Sequence, residues 1–324
     1  MRKPFFLKLR SFFNLILATF FIFILLSCSA FQRELPEEHK ESVPKKYKDI
    51  YKIKIPKQHN APEENKKEST STVGEKAVVP PQDKLLLTPG ETFIYTLGWT
   101  LFSVGTAEVV VKPQVMVNET PSYHVHVLGK TNETFSSIYN AEMNIDLFLN
   151  VNNLKPYKLE LSSRESRYVR NHVTLFDYVH KKASYWSKSV KFGRKKKEKL
   201  GEAEYNMMDN LFDALSPAFQ VRRWALLPGK KIEFHVLENE KVYKIQCEVV
   251  KKDKREVLQT MEDAFYVECL GKTFKTKQWE EKDKKENHLW AWISADPRHY
   301  LIEAGAKVTI GSVTLKLTDM GKRL

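Results

Sequence analysis

The side chains whose type and spacing invite chemistry are two histidines, two aspartates and three cysteines. His124 and His126 stand two apart in residues 122–128, alternating with Tyr123, Val125 and Val127. On a strand the two imidazoles share one face, as in some metal sites. No third or fourth ligand stands nearby, so we expect partly exposed strand histidines and no metal. Asp209 and Asp213 are four apart at a predicted helix start. Two carboxylates can share acid–base work, but capping and stabilisation of the helix dipole account for them. The chain lacks His-Glu-x-x-His, Gly-x-Ser-x-Gly and a phosphate-cradling loop, and holds only 12 glycines. The expectation is a non-enzymatic protein with no catalytic residue and no cofactor.

Cys247 shares the apolar parity of its strand with Ile245 and Val249, and Cys269 with Phe265 and Val267. An oxidising compartment favours a bridge between them. A turn at residues 260–263 would set Cys269 opposite about Arg255, too far from Cys247 to bond. A bulge or broken strand at residues 251–254 would restore the pairing. A disulfide and two buried thiols both stay open at this level.

Cys28 is a different case. Met1-Arg2-Lys3, Lys8 and Arg10 precede or flank an apolar run from Phe12 to Leu26, broken by Asn14 and Thr19. A basic region before a short apolar one is a secretory leader. At about 1.5 Å per residue this run reaches roughly 22 Å, short of a ~30 Å hydrocarbon core. It closes on Leu25-Leu26-Ser27-Cys28, which resembles the lipobox of bacterial lipoproteins. The resemblance implies cleavage between Ser27 and Cys28, and a diacylglycerol on the Cys28 thiol. Each buried acyl CH₂ contributes ~0.8 kcal/mol, so two or three chains anchor stably in a membrane. The alternative is a core cysteine ending an uncleaved anchor helix. Ser29 in place of Asp favours the outer membrane, facing the periplasm, by analogy with enterobacterial sorting.

These readings divide the chain into a leader (1–27), a lipidated N-terminus with a disordered linker (28–84) and one β domain (85–324). Residues 29–84 are poor in aromatics and rich in Glu, Lys, Pro, Ser and Gln, with a short helix or strand conceivable near residues 47–55. Such composition cannot offset its ordering entropy. The formal net charge is +13. Export argues against nucleic acid as the partner, and an anionic envelope surface suits a tethered basic protein better. A solubilising surface charge is the plainer reading. Runs such as Arg194-Lys195-Lys196-Lys197 and Lys251-Lys252 read as loop tips or strand ends.

From about Leu85 the pattern is of many short alternating segments with turn signals between them. They predict a mainly β fold: a strongly curved antiparallel sheet, or incomplete β-barrel. One segment differs. Leu211, Leu215 and Phe219 have helical spacing. Asp213 or Ser216 would cap the helix, Pro217 would sit in its first turn, and Leu227-Pro228-Gly229 would end it. This amphipathic helix, residues 213–224, would pack on the concave side of the sheet.

From about Glu91 onward the sequence resembles the DUF3108 family of exported bacterial proteins. The match is carried by Tyr95-Thr96-Leu97-Gly98-Trp99 through Ala107, by Asp213-Ala214-Leu215-Ser216 through Phe219 and Arg222 to Leu227-Pro228-Gly229-Lys230, and by Leu289-Trp290 through Asp296, Ile302 and Gly311-Ser312-Val313. A looser resemblance to the LolA/LolB lipoprotein carriers implies an incomplete barrel. No agreed activity comes with the family. A basic loop at residues 191–201 departs from its pattern.

Thirteen aromatics, from Phe93 and Trp99 to Trp290 and Trp292, exceed what a thin sheet needs. Most must be core. A filled interior and an apolar cavity are both open. A cavity would be lined or covered by Leu215, Phe219, Trp224, Trp99 and Phe102, with Asp213 and Arg222 as structural polar residues. The expected function is binding of a lipid or other hydrophobic ligand in the half-barrel, or support of envelope assembly. The alternative is a protein–protein or cell-wall module using basic loops.

Overall fold

A computed structural model describes residues 43–48, 51–54, 86–275, 278–280, 288–308 and 311–321. The leader, Ser27, Cys28 and most of the linker lie outside these. Among the described residues no helix is long and apolar enough to cross a membrane.

The sheet grows by successive hairpins. Its strands are β1 (Ile53–Lys54), β2 (Thr92–Trp99), β3 (Phe102–Val117), β4 (Thr120–Thr131), β5 (Ala141–Asn150), β6 (Pro156–Glu165), β7 (Tyr168–Asp177), β8 (Lys182–Lys191) and β9 (Lys197–Asn206). They continue as β10 (Leu211–Phe212), β11 (Lys231–Glu238), β12 (Lys241–Val257), β13 (Thr260–Lys275), β14 (Gln278–Glu280), β15 (His288–Ser294), β16 (Leu301–Lys307) and β17 (Ser312–Met320). β17 pairs with β2, so the C-terminal and N-terminal halves join into one sheet. β10 and β11 are parallel; the other pairings are antiparallel. Tight turns drive this layout. Asn118-Glu119, Asn239-Glu240 and Leu258-Gln259 each have positive φ at both residues, from 46° to 69°. That is the type I′ geometry whose twist matches paired strands.

The sheet curls until its two ends meet without a shared ladder. At the seam, Tyr185 Oη donates to Asn239 Oδ1 at 3.2 Å and Tyr205 Oη to the Glu240 carbonyl at 2.9 Å. Side chains, not backbone pairing, close the roll here. Gly105 shows how tightly the hairpins pack: a Cβ there would lie 2.4 Å from the Lys130 carbonyl oxygen.

The expected helix over residues 213–224 is corrected. Only α3 (Pro217–Gln220), which follows α1 (Lys45–Lys48) and α2 (Glu133–Ser136) in the chain, and a 3₁₀ turn (Val221–Arg223) form. Leu211 and Phe212 pair as strand with His235 and Val236. The Asp213 carboxylate then turns the chain, accepting from the Leu215 and Ser216 N–H groups at 2.8 Å each. Burial of Leu211, Leu215 and Phe219 along a strand–turn–helix path mimics helical spacing.

Two further expectations change. The basic stretch at 191–201 is mostly strand: β8 and β9 pair from Lys191↔Lys197 onward, leaving residues 192–196 as the loop. The linker is not free throughout. Residues 43–48 and 51–54 form a strap over the convex face, with α1 (Lys45–Lys48) and β1, which pairs with Val117 and Met116. Tyr47 and Tyr51 are buried there against Val115, Val117, Phe148, Val173, Leu175 and Trp186. Each buried aromatic contributes about 2 kcal/mol.

Cys247 and Cys269 are disulfide-bonded, with Cα atoms 4.0 Å apart. The β12–β13 turn lies at Leu258-Gln259 rather than 260–263, and a bulge between Val249 and Lys251 brings Cys247 opposite Cys269. The bridge closes a sequence separation of 22. In the chain-entropy picture such a loop is worth about 3 kcal/mol. Changing both cysteines to serine should lower Tm by about 6–10 °C in a calorimetric scan. The wild type with intact thiol reductant should match the variant.

Candidate functional site

The residues expected to line or cover a cavity do not surround one open space. Leu215 and Phe219 are buried in a packed cluster with Val125, Ile145, Leu147 and Leu149. Trp224 is half-buried in a second cluster, its ring 5.6 Å from Phe234. Trp99 is half-buried against a third, formed by β2, β16 and β17. Phe102 does not face the interior: it is 66% exposed beside Leu101 at the β2–β3 tip. β4 begins pairing with β3 only at Gly105, so nothing on that side covers Phe102. Around α3 the concave side is filled.

Asp213 and Arg222 hold the covering segment in two separate ways. Asp213 is wholly buried and also accepts from the Ser216 hydroxyl. Burial raises its pKa, and the hydrogen bonds from Ser216 and Leu215 oppose the shift. Arg222 makes a two-pronged pair with Glu91, at 2.9 and 3.0 Å, and donates to the Leu86 carbonyl at 2.9 Å. Their side chains are only 6% and 13% exposed. Gln220 and Arg223 add bonds to the Asn153 carbonyl. The segment is therefore a plug tied to β2 and to the β5–β6 loop.

Asp209 is exposed and is not joined to Asp213. His124 and His126 share a face, as expected, and both bind Asp146 Oδ1, at 2.7 and 3.1 Å. His124 also stacks on Phe148, with ring centroids 4.8 Å apart. No group of three His, Cys, Asp or Glu side chains suited to a metal occurs among the described residues.

The arrangement that sequence reasoning missed lies on the inner face of β7 and β8. Register places Leu161, His172 and Ser187 in one row, and Leu159, Thr174 and Tyr185 in the next. Glu238 and Asn239, at the β11–β12 tip, approach the same region across the seam. His172 is buried, and neither ring nitrogen has a hydrogen-bond partner. Thr174 Oγ1 and Asn239 Nδ2 are also buried without one. Native interiors satisfy nearly all such groups, and each orphan costs about 1–3 kcal/mol. Burial, reinforced by the Arg170 charge, lowers the His172 pKa to about 3, so the ring is neutral. Burial raises Glu238 to about 8, with Arg170 opposing and Asp213 adding to the shift. At neutral pH that carboxyl is mostly protonated and can donate. The seam thus offers several uncharged donors and acceptors, with the Arg170 cation on the same face of β7. The only sequence cue was the alternation Arg170, His172, Thr174 within a strand whose other face is also apolar.

A separate cleft of about 560 Å³ opens on the outside, lined by Tyr51, Asn150, Lys155, Tyr157, Tyr178 and His180, among others. Its polar groups are largely consumed locally: Asn150 Nδ2 donates to Tyr157 Oη, and Tyr178 Oη donates to the Pro156 carbonyl. Asp177 holds the Val179 and His180 backbone.

The geometry defines a mainly β protein built on one large, curved, non-closed sheet with a small central helix. Residues 94–318 match the family described as "Protein of unknown function (DUF3108)", and the chain belongs to that family. No curated protein matches it. Among solved structures it is similar to a β-barrel-like protein of domain of unknown function DUF1849 from Brucella abortus. That likeness has 9% identity and a TM-score of 0.42, covering 71% of this chain and 96% of the other. It is also similar to a candidate lipoprotein from Parabacteroides distasonis ATCC 8503, with 8% identity, a TM-score of 0.29, and coverage of 72% and 96%.

Proposed function

We propose that this is a non-enzymatic envelope lipoprotein, anchored through Cys28, whose rolled sheet takes up an amphiphile. The ligand has an apolar body and an uncharged head bearing hydroxyl, ester or amide groups. The observation that carries this reading is the set of orphaned polar atoms on His172, Thr174 and Asn239 beside the apolar clusters of the interior. A cationic head is disfavoured, because a neutral imidazole and a protonated Glu238 offer it no compensating charge at neutral pH and the Arg170 cation acts on both. The apolar body would take the space of Leu215 and Phe219 once the plug swings out. The half-barrel then acts by shape and burial, not by covalent chemistry.

The test is to purify the chain from its own membranes and weigh it intact under native conditions. The expected result is a stoichiometric adduct that organic solvent releases as one class of uncharged-head amphiphile. Protein that is always empty, from gentle detergent as well as harsh, would end the proposal. Any recombinant version should begin no later than Val43, because the strap is part of the folded domain.

A further inference from the structure

Exposed apolar residues and exposed cations stand together along one rim of the sheet. Leu101 is 91% exposed, Phe102 66% and Ile138 74%. Leu101 occupies a tight hairpin tip beside Thr100, whose φ is +56°. Turn chemistry there favours Gly, Asn or Asp, not a large apolar side chain.

Backbone hydrogen bonds string the loops of this rim together. Thr100 N–H donates to the Ser312 carbonyl, Asn132 to Val104, Ser166 to Asn140 and Phe192 to Arg167, at 2.7 to 3.0 Å. The last loop, residues 192–196, ends in the basic run. Lys196 pairs with Glu198. Arg194, Lys195 and Lys197 are exposed and have no acidic partner within 4 Å among the described residues. The opposite tips also expose apolar residues, Val179, Leu258 and Met261; at the β12–β13 tip Lys252 and Lys254 are both held by Asp263, at 2.9 and 2.7 Å.

We infer that the rim carrying Leu101, Phe102 and Ile138 docks on an anionic bilayer, with the apolar tips inserted and Arg194, Lys195 and Lys197 over the headgroups. Shallow apolar insertion and basic attraction reinforce each other at such a surface. The tether permits it. Fourteen residues lie between Cys28 and Val43, where the strap begins, and they span at most about 50 Å. An acylated Cys28 would keep the domain close to the bilayer, and the rim would set its orientation.

The experiment uses residues 29–324, which keep every described residue and carry no acyl chain. Binding is measured by sedimentation with vesicles of phosphatidylethanolamine and phosphatidylglycerol, and with phosphatidylcholine vesicles for comparison. The expected result is salt-sensitive binding to the anionic vesicles and much weaker binding to the neutral ones. The double change L101E and F102E should lower binding at least about tenfold, as should the triple change R194E, K195E and K197E. All these side chains are exposed, so melting curves should match the wild type. Amphiphile content of the same variants should also be unchanged, which separates this inference from the proposed interior site. Absence of vesicle binding, or an unchanged affinity of the L101E and F102E protein, would overturn it. The latter outcome would reduce the rim to general attraction for polyanions.

Discussion

Between pH 6.5 and 8 the wild-type protein should lose about 2 kcal/mol of unfolding free energy, and Glu238→Gln should lose almost none of it. The Glu238 pKa is raised from 4.5 to about 8 in the folded state. Its stabilising contribution is therefore fully present below pH 4.5 and is lost as pH rises through 8. His172 has the opposite sign: its pKa is lowered from 6.5 to about 3. Its contribution is present above pH 6.5 and is lost as pH falls towards 3. Between pH 4.5 and 6.5 the two slopes cancel, which leaves a plateau. Urea titrations at pH 3.5, 5.5 and 8 read both limbs. His172→Leu should flatten the acid limb and leave the alkaline one intact. An alkaline limb that survives in Glu238→Gln would show that Glu238 is not buried as described.

Replacing Arg222 with Met should cost about 3–5 kcal/mol, because Glu91 is left buried without its cation. The cost lies in the orphaned carboxylate more than in the lost attraction. Accordingly, changing Arg222 and Glu91 together to methionine should restore most of the stability. Arg222→Lys should restore only part, since an ammonium cannot make the two-pronged contact or reach Leu86 in the same geometry. The same variants bear on function. With the plug less firmly tied to β2, a bound amphiphile should exchange faster in Arg222→Met than in the double variant. Equal exchange rates would mean that the plug does not gate the interior.

The sequence made much of the sheet legible, and its gaps have physical causes. Alternation in residues 122–128 assigned the inward Tyr123, Val125 and Val127 because one face is apolar and the other carries histidines. Leu258-Gln259 was invisible as a turn: neither residue is the Gly, Asn or Asp that positive φ normally selects. That miss displaced the register, and with the bulge between Val249 and Lys251 it hid the direct opposition of Cys247 and Cys269. The spacing of Leu211, Leu215 and Phe219 reported burial faithfully but not conformation, since a buried turn built on Asp213 satisfies the same positions. Phe102 reads like core by type, yet its exposure depends on where β4 stops pairing, a property of the neighbouring strand. Residues 43–48 and 51–54 carry too few apolar groups to fold alone, and Tyr47 and Tyr51 find their apolar partners on the convex face. His172 gave the weakest signal, because a polar residue in an alternating strand ordinarily points to water. Here both faces are covered, so the same pattern produces an orphaned imidazole.

The most direct test of an interior amphiphile site is the ¹⁵N resonance pair of the His172 imidazole, assigned through loss of signal in His172→Asn and followed as delipidated protein is titrated with monoacylglycerol. A filled site predicts that one ring nitrogen shifts saturably as it gains a hydrogen bond, with Thr174→Val weakening the response. Ring nitrogens that stay unmoved through saturation, in protein whose fold is intact, would contradict the site.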